Sequence, residues 1–405
     1  MKPIVRAGRM KPVHSDIRGP LFVEAMNRQK QGIDILKLNT GNPATFGFGL
    51  PDSIKNALME HMQDGVGYCD FKGMPQARQE ICDYETSKGI KGITPDDVFI
   101  GNGVSEVVSF ALTPLLNDGD EVLVPSPSYS LWGNSVYLED GKPVFYTCDE
   151  QANWYPDIQD IRSKITDKTK AIVIINPNNP TGVLYPKEIL LEIIQVAREF
   201  GLLIFADEIY DRLVMDGKQH ISLASLTEDV PVITLNGLSK SHCLCGYRCG
   251  WMVISGPREL TEDYRQGIIQ LTSLRLCANT MAQIVIPAAL DDMDTPASMV
   301  RPGGRIYEQR EATVRELEKI DGLSFVKNDA AFYVFPKLDV KKFNITNDKQ
   351  FAHDLLDATN ILLVPGSGFD WKDPDHFRIV MLPQADVLSD AIRRMGTFLD
   401  GYKQK

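Results

Sequence analysis

Apolar, mostly β-branched runs recur at 98–100, 121–124, 144–147, 171–175, 202–206, 232–235 and 251–254. Segments of helical period separate most of them, most clearly Lys187–Phe200. Near-continuous apolar strands alternating with helices predict an α/β fold with a large, mostly parallel seven-stranded sheet covered on both faces. Ahead of it the pattern predicts a helix over 22–31 and a strand over 35–39 that ends in the turn Thr40-Gly41-Asn42-Pro43. Helices over 53–63 and 75–88 flank an exposed loop at 66–73. Behind the sheet come a long helical stretch over 257–290 and a break at Pro302-Gly303-Gly304. A smaller α+β unit follows, with a charged helix over 305–320, strands over 323–326 and 331–335, and a helix over Asp348–Thr359. Strands over 361–364 and 376–381 and an amphipathic helix running to 402 complete it. The expected division is an arm over 1–45 that packs with the small domain, a large domain over 46–295 and the small domain over 296–405.

Composition narrows the function. The chain has 405 residues, 43% hydrophobic and 24% charged, as in an ordinary soluble enzyme. A net charge of -11 argues against nucleic acid or anionic membrane as partner. No apolar run reaches the roughly 20 residues that span a bilayer, and the start reads as no secretory signal. Seven cysteines, an odd and scattered set, suit reduced thiols and a cytoplasmic location. His242, Cys243, Cys245 and Cys249 crowd together without zinc-type pairing, so they read as small space-filling residues and no metal is expected.

The candidate chemistry sits where apolar runs end, the edge at which open α/β sheets bind ligands. The run at 232–235 leads into Asn236-Gly237-Leu238-Ser239-Lys240, with Arg248 eight residues on. A partly desolvated lysine there is expected to have its pKa lowered, toward a neutral amine that attacks carbonyls. Arg248 suits a phosphate or carboxylate. Gly101-Asn102-Gly103-Val104-Ser105 joins a strand to a helix amino terminus, a backbone anion site or a plain glycine turn. Tyr129, after Pro125-Ser126-Pro127-Ser128, offers a ring to an aromatic ligand or to solvent. Asn176-Pro177-Asn178-Asn179-Pro180-Thr181-Gly182 is more specified than a structural turn requires, and predicts a rigid loop with amide donors at the sheet edge. Asp207, at the end of another buried strand, needs a partner: a backbone N–H, an arginine or a protonated ring nitrogen. Tyr210 follows with a phenol donor.

Taken in order, Gly-Asn-Gly, Asn-Pro-Asn-Asn-Pro-Thr-Gly, Asp-Glu-Ile-Tyr, Ser-Lys, Arg248 and Phe377-Arg378-Ile379 resemble the class I and II aminotransferases, fold-type-I enzymes that use pyridoxal 5'-phosphate. The likeness runs from Asp16 to the last helix. Asp16-Ile17-Arg18-Gly19-Pro20, Leu38-Asn39-Thr40-Gly41-Asn42-Pro43 and Arg275-Leu276-Cys277-Ala278-Asn279 are most similar to the alanine (glutamate–pyruvate) branch. The resemblance implies that Lys240 attaches the cofactor and shuttles the proton, and that Asp207 pairs with the pyridinium nitrogen. Tyr210 and Asn179 would bind the ring oxygen, and Tyr129 would stack on the ring. Gly103, Val104, Ser105, Ser239 and Arg248 would hold the phosphate, with Tyr68 reaching it from the other subunit of a homodimer. Arg378, Gly41 and Asn179 would bind the substrate α-carboxylate side. For glutamate's distal carboxylate, Arg18 on the amino-terminal arm is favoured over Arg275.

The chain departs from many relatives at Leu238, where a second hydroxyl often stands two residues before the lysine. The implied reaction is alanine plus 2-oxoglutarate to pyruvate plus glutamate. Alternatives are an aminotransferase for aspartate, aromatic or branched substrates, or a β-lyase. A cofactor-sensing regulator would need an added DNA-binding domain, and a nicotinamide enzyme would need the dinucleotide fingerprint, which is absent.

Overall fold

A computed structural model of the chain describes residues 2–405. The short strand β1 (Leu36–Lys37) precedes the main sheet. That sheet comprises β2 (Val98–Asn102), β3 (Glu121–Ser126), β4 (Lys142–Asp149), β5 (Tyr155–Pro156), β6 (Thr169–Ile175), β7 (Leu203–Asp207), β8 (Val232–Gly237) and β9 (Cys249–Ser255). Their spatial order is β2-β9-β8-β7-β6-β3-β4-β5. β4, β3, β6, β7 and β8 run parallel, while β9 is antiparallel to both β8 and β2. Seven of these strands answer the seven apolar runs. The eighth, β5, is a two-residue pairing on the end of β4 that carries no apolar run of its own.

The sheet is buried on both faces, which is why its strands read as continuous apolar text. Along β6, Ala171, Val173 and Ile175 pack with Val122, Val124 and Phe205, and Ile172 and Ile174 pack on the other side with Leu190, Ile193 and Ile204. The helix Lys187–Phe200 lays Leu190, Ile193, Ile194 and Ala197 on that second face, and Gly201, at φ +67, ends it. Each fully buried leucine or isoleucine contributes about 1.5–3 kcal/mol.

The helical stretch expected over 257–290 is broken. The first helix is Arg258–Arg275, after which Leu276 adopts φ +78 and Asn279 caps a new turn, followed by Thr280–Gln283, Ile286–Asp291 and Asp294–Val300. At the break, Arg275 reaches Glu106 at 2.5 Å and the carbonyls of Phe71 and Ile100 at 3.2 Å.

The carboxyl-terminal unit has β10 (Leu323–Ser324), β11 (Tyr333–Val334), β12 (Lys337–Leu338), β13 (Ile361–Leu362), β14 (Val364–Pro365) and β15 (Phe377–Val380). β11, β15 and β14 form an antiparallel sheet and β10 pairs with β12. The strand expected over 331–335 begins only at Tyr333, because Ala331 sits at φ +58. β1 pairs in parallel with β13, Leu36 opposite Ile361, so the start of the chain docks on this unit. Leu38 joins Phe351, Ile379, Leu388 and Met395 in its core.

Candidate active site

The ends of β6, β7 and β8 deliver the Asn176–Gly182 loop, Asp207 with Tyr210, and Lys240 to one edge of the sheet. Gly237 lets β8 lie flush against β9, since a Cβ there would meet the Cys249 carbonyl at 2.5 Å. The next residue opens the short helix Leu238–Ser241, which carries Lys240. Lys240 is half-buried, its Nζ donating to the Gly41 carbonyl at 3.0 Å and lying 5.8 Å from the Phe332 ring. Burial pulls its pKa down, but Tyr333, Cys245 and Tyr129, each negative when deprotonated, raise it above the ordinary lysine value. This reverses the lowered pKa expected from desolvation alone, because the groups gathered around the amine outweigh the loss of water.

Asp207 is buried. Its Oδ2 accepts the Trp132 indole N–H at 3.1 Å, its Oδ1 accepts the Ile209 amide at 3.3 Å, and no cation forms an ion pair with it among the described residues. Burial pushes its carboxyl up to about 6 despite the Trp132 hydrogen bond and the Lys240 charge, which both favour the anion. Tyr210 is buried beside it, its hydroxyl 2.9 Å from that of Tyr333. Tyr333 also explains Gly41, since any Cβ at 41 would strike the Tyr333 hydroxyl.

Arg378 is 1% exposed and lies between the rings of Tyr333 and Phe369, each centroid 4.6 Å away. It donates to Asn179 Oδ1 at 2.9 Å and to the Asn39 carbonyl, while its Nε has no partner and no carboxylate pairs with it among the described residues. Burial lowers its pKa. A buried guanidinium N–H without a partner is costly unless an anion meets it.

The asparagine loop divides its labour differently from the expectation. Asn176 Oδ1 accepts the Tyr185 amide at 2.9 Å and Asn178 Oδ1 accepts the Thr181 hydroxyl at 3.0 Å, so both build the loop. Only Asn179 turns its side chain to Arg378. Gly182, at φ +70, packs where a Cβ would meet Asn328 Cβ at 2.6 Å.

At the other end of the pocket, Gly103 opens the helix Val104–Leu112, with Ser105 exposed in its first turn. The exposed Arg248 guanidinium lies against Gly103, donating to the carbonyls of Cys245 at 3.0 Å and Asn102 at 3.4 Å. Ser239 is half-buried beside it, and Leu238 is buried in the core, so the position of the family's second hydroxyl holds no donor. Tyr129 is 36% exposed and near enough to Lys240 and Arg378 to act on both. Burial pushes the Cys243 and Cys249 thiols up to about 12, and His242 down to about 4.

Two expected residues stand outside this cluster. Tyr68 is 83% exposed on its loop. Arg18 is exposed and without an ion pair among the described residues, though the carbonyl of Ile17 accepts Asn39 Nδ2 at 2.8 Å, which sets the arm near Asn39, whose carbonyl accepts from Arg378. Arg275 is committed to Glu106 and is not available to a substrate. Sequence reasoning missed Trp132, Asn39, Phe332 and Tyr333. The only signal for Trp132 was a bulky N–H donor just after the Tyr129 loop, and a buried tryptophan finds an acceptor.

A model of the family described as aminotransferase class I and II matches residues 33–394. The glutamate-pyruvate aminotransferase AlaA of Haemophilus influenzae is 49% identical over 404 residues, covering 100% of both chains. A solved structure of an aminotransferase from Escherichia coli superposes with a TM-score of 0.98 at 46% identity, covering 100% of both chains. An alanine aminotransferase from Pyrococcus furiosus superposes with 0.93 at 40% identity, covering 98% of this chain and 100% of its own.

Proposed function

The chain belongs to the class I and II aminotransferases, and from that premise we propose that it interconverts L-alanine plus 2-oxoglutarate and pyruvate plus L-glutamate, with pyridoxal 5'-phosphate held at Lys240. The observation that carries this reading is a pair of buried charges, Asp207 and Arg378, neither in an ion pair among the described residues, with Lys240 favouring the Asp207 anion and Arg378 lowering Lys240. A protonated ring nitrogen at Asp207 and an α-carboxylate on Arg378 supply the missing partners. The residues present therefore fit the cofactor. Asp207 and Tyr210 would hold its ring, with Asn179. Gly103, Val104, Ser105, Ser239 and Arg248 would hold its phosphate at a helix amino terminus, and Tyr129 would cover the ring face.

When bound, the cofactor supplies a carbonyl for the amino group and an electron sink for the α-carbon. The protein's own residues do the rest. Arg378 clamps the α-carboxylate through two parallel N–H bonds and fixes the α-hydrogen toward Lys240. Lys240 Nζ, in its neutral form, would take that proton and return it on the far side of the amino nitrogen. Asp207 stays anionic while it holds a proton on the ring nitrogen. The walls formed by Phe332, Tyr333 and Phe369 exclude water, which strengthens each of these charges.

The relatives' names favour alanine and glutamate as substrates, and Arg18 suits the distal carboxylate, since an exposed arginine is not left buried and unpaired when alanine occupies the site. The reading includes a homodimer in which Tyr68 reaches the partner's phosphate. The exposed side chains of Val66, Tyr68, Leu274 and Leu276, at 76%, 83%, 81% and 52%, support a covering partner. The arm over 1–45 belongs with the carboxyl-terminal unit, since β1 pairs with β13, and the large domain gives way to that unit near residue 295, at the start of the helix Asp294–Val300. Among the described residues no helix is long and apolar enough to cross a membrane, and seven free thiols suit a reducing, cytoplasmic setting.

The test is an amino-donor screen on the purified, cofactor-loaded protein. Alanine and glutamate should be the best donors, and Lys240→Ala should bind cofactor yet lose turnover by on the order of 10³ or more. Faster turnover with aspartate or phenylalanine would overturn the alanine reading alone. Wild-type turnover in Lys240→Ala would overturn the aminotransferase mechanism.

A further inference from the structure

Behind the strand ends, away from the pocket, lies a buried charge cluster that none of these roles uses. Glu208 and Asp211 alternate with Asp207 and Tyr210 along one segment, and they face the helix Pro75–Ser87. Lys88 caps that helix, its Nζ lying 2.6 Å from Glu85, 2.9 Å from Glu208 and 3.2 Å from Asp211. The three carboxylate side chains are 0%, 2% and 3% exposed, and the lysine's 13%. Asp211 also accepts Asn236 Nδ2 at 2.7 Å, and Asn236 Oδ1 accepts the Gly237 amide at 2.7 Å. Gly237 begins the turn that presents Lys240. Glu208 is held from its other oxygen by Ser222 Oγ at 2.9 Å and the Leu223 amide at 3.0 Å. One ammonium thus joins a helix end to the ends of β7 and β8.

We propose that Lys88 is a positioning residue for the transamination reaction: by pairing with Glu208 and Asp211 it sets the strand ends that carry Asp207, Tyr210 and Lys240. The inference rests on the aminotransferase reading above. Buried carboxylates without a cation between them repel one another and must move toward water. Residues 208 and 211 cannot move without 207 and 210, and the Ile209 amide that holds Asp207 Oδ1 lies in the same segment. Catalytic groups tolerate little of this, since a misplacement of about 1 Å costs on the order of 100-fold in rate.

The experiment compares cofactor-loaded wild type with Lys88→Met, Lys88→Arg and Glu208→Gln. Expected in Lys88→Met is a kcat at least tenfold lower, Michaelis constants within threefold, and a shifted pH midpoint for the bound cofactor's absorbance. Lys88→Arg should restore part of the kcat, and Glu208→Gln should show a smaller change in the same direction. Affinity of the cofactor-free chain for pyridoxal phosphate, read by fluorescence quenching, should weaken in Lys88→Met in parallel with kcat. Folded Lys88→Met and Glu208→Gln with kcat within twofold of wild type and an unmoved midpoint would overturn the proposal. So would failure of both to fold, which would assign Lys88 to stability alone. A wild type that neither binds pyridoxal phosphate nor transaminates would sink the functional reading instead, and the wild-type arm separates the two failures.

Discussion

Trp132 and Asp207 meet across 3.1 Å within the sheet's core, the indole N–H donating to Oδ2. That donor and the Ile209 amide do not offset the burial of a carboxylate, which raises Asp207 from 3.8 to about 6. A raised folded pKa means stability that is fully present below the unfolded value and lost as the pH climbs through about 6. A displacement of this size corresponds to about 3 kcal/mol. Cofactor-free Asp207→Asn should therefore resist denaturant better than wild type at pH 7.5 and match it near pH 4. The loaded variant should turn over at least about 100-fold more slowly, as when a preorganised charge is lost. Denaturation at several pH values checks the first, and equal stability throughout would mean that the carboxylate already has a counter-ion.

Arg378 presents the opposite charge with the same deficit. A small carboxylate such as acetate or pyruvate should raise the melting temperature of wild type, and leave Arg378→Leu unmoved. Arg378→Leu should raise the Michaelis constants of all substrates together, since removing one member of a buried charge pair costs roughly 2–5 kcal/mol, and Arg378→Lys, which keeps the charge but loses the fork, less. Loss confined to one substrate pair would place the α-carboxylate elsewhere.

The amino-terminal arm is pinned by His14, whose Nε2 lies 3.0 Å from Asp370 and whose Nδ1 lies 3.5 Å from Asp16. Those hydrogen bonds, Asp16 first, raise its pKa to about 9. The anchoring is complete below the ordinary histidine value and fades as the pH passes about 9. Arg18→Ala should raise the Michaelis constants for glutamate and 2-oxoglutarate about tenfold, near the worth of one charge-assisted bond, and those for alanine and pyruvate less than twofold. The wild-type constant for glutamate should begin to climb above pH 9, and His14→Gln should show that climb already at pH 7.5. Equal effects on both substrate pairs would make the arm structural.

Sedimentation of the wild type should give a dimer. Tyr68→Phe should weaken cofactor affinity by roughly tenfold, about one hydrogen bond to a charged group, with little effect on melting of the cofactor-free protein. A fully active monomer would remove Tyr68 from the site.

The main sheet was legible because its strands are buried on both faces, so apolar runs alone marked seven of them. The candidate residues at the strand ends stood out for a related reason. A lysine or a carboxylate directly after a buried strand needs a partner, and of the three asparagines two build the loop and one turns to Arg378. The small strands were less legible, since β10 to β14 hold two residues each and one positive φ, at Ala331, shortens a run that reads as five. The helix break after Arg275 was not legible, since Leu276 takes a positive φ that the helical period does not announce.

The sequence by itself marked the long, doubly buried strands, the motif loops and the chemistry available at each, all read from residues near one another along the chain. The tertiary structure alone decided which partner each group meets. Trp132 reaches Asp207 across 75 residues, Tyr333 reaches Tyr210 across 123 and Lys88 reaches Glu208 across 120. It also decided the sign of the Lys240 shift. Burial and surrounding charge act in opposite directions on one amine, and only the assembled pocket fixes which is larger.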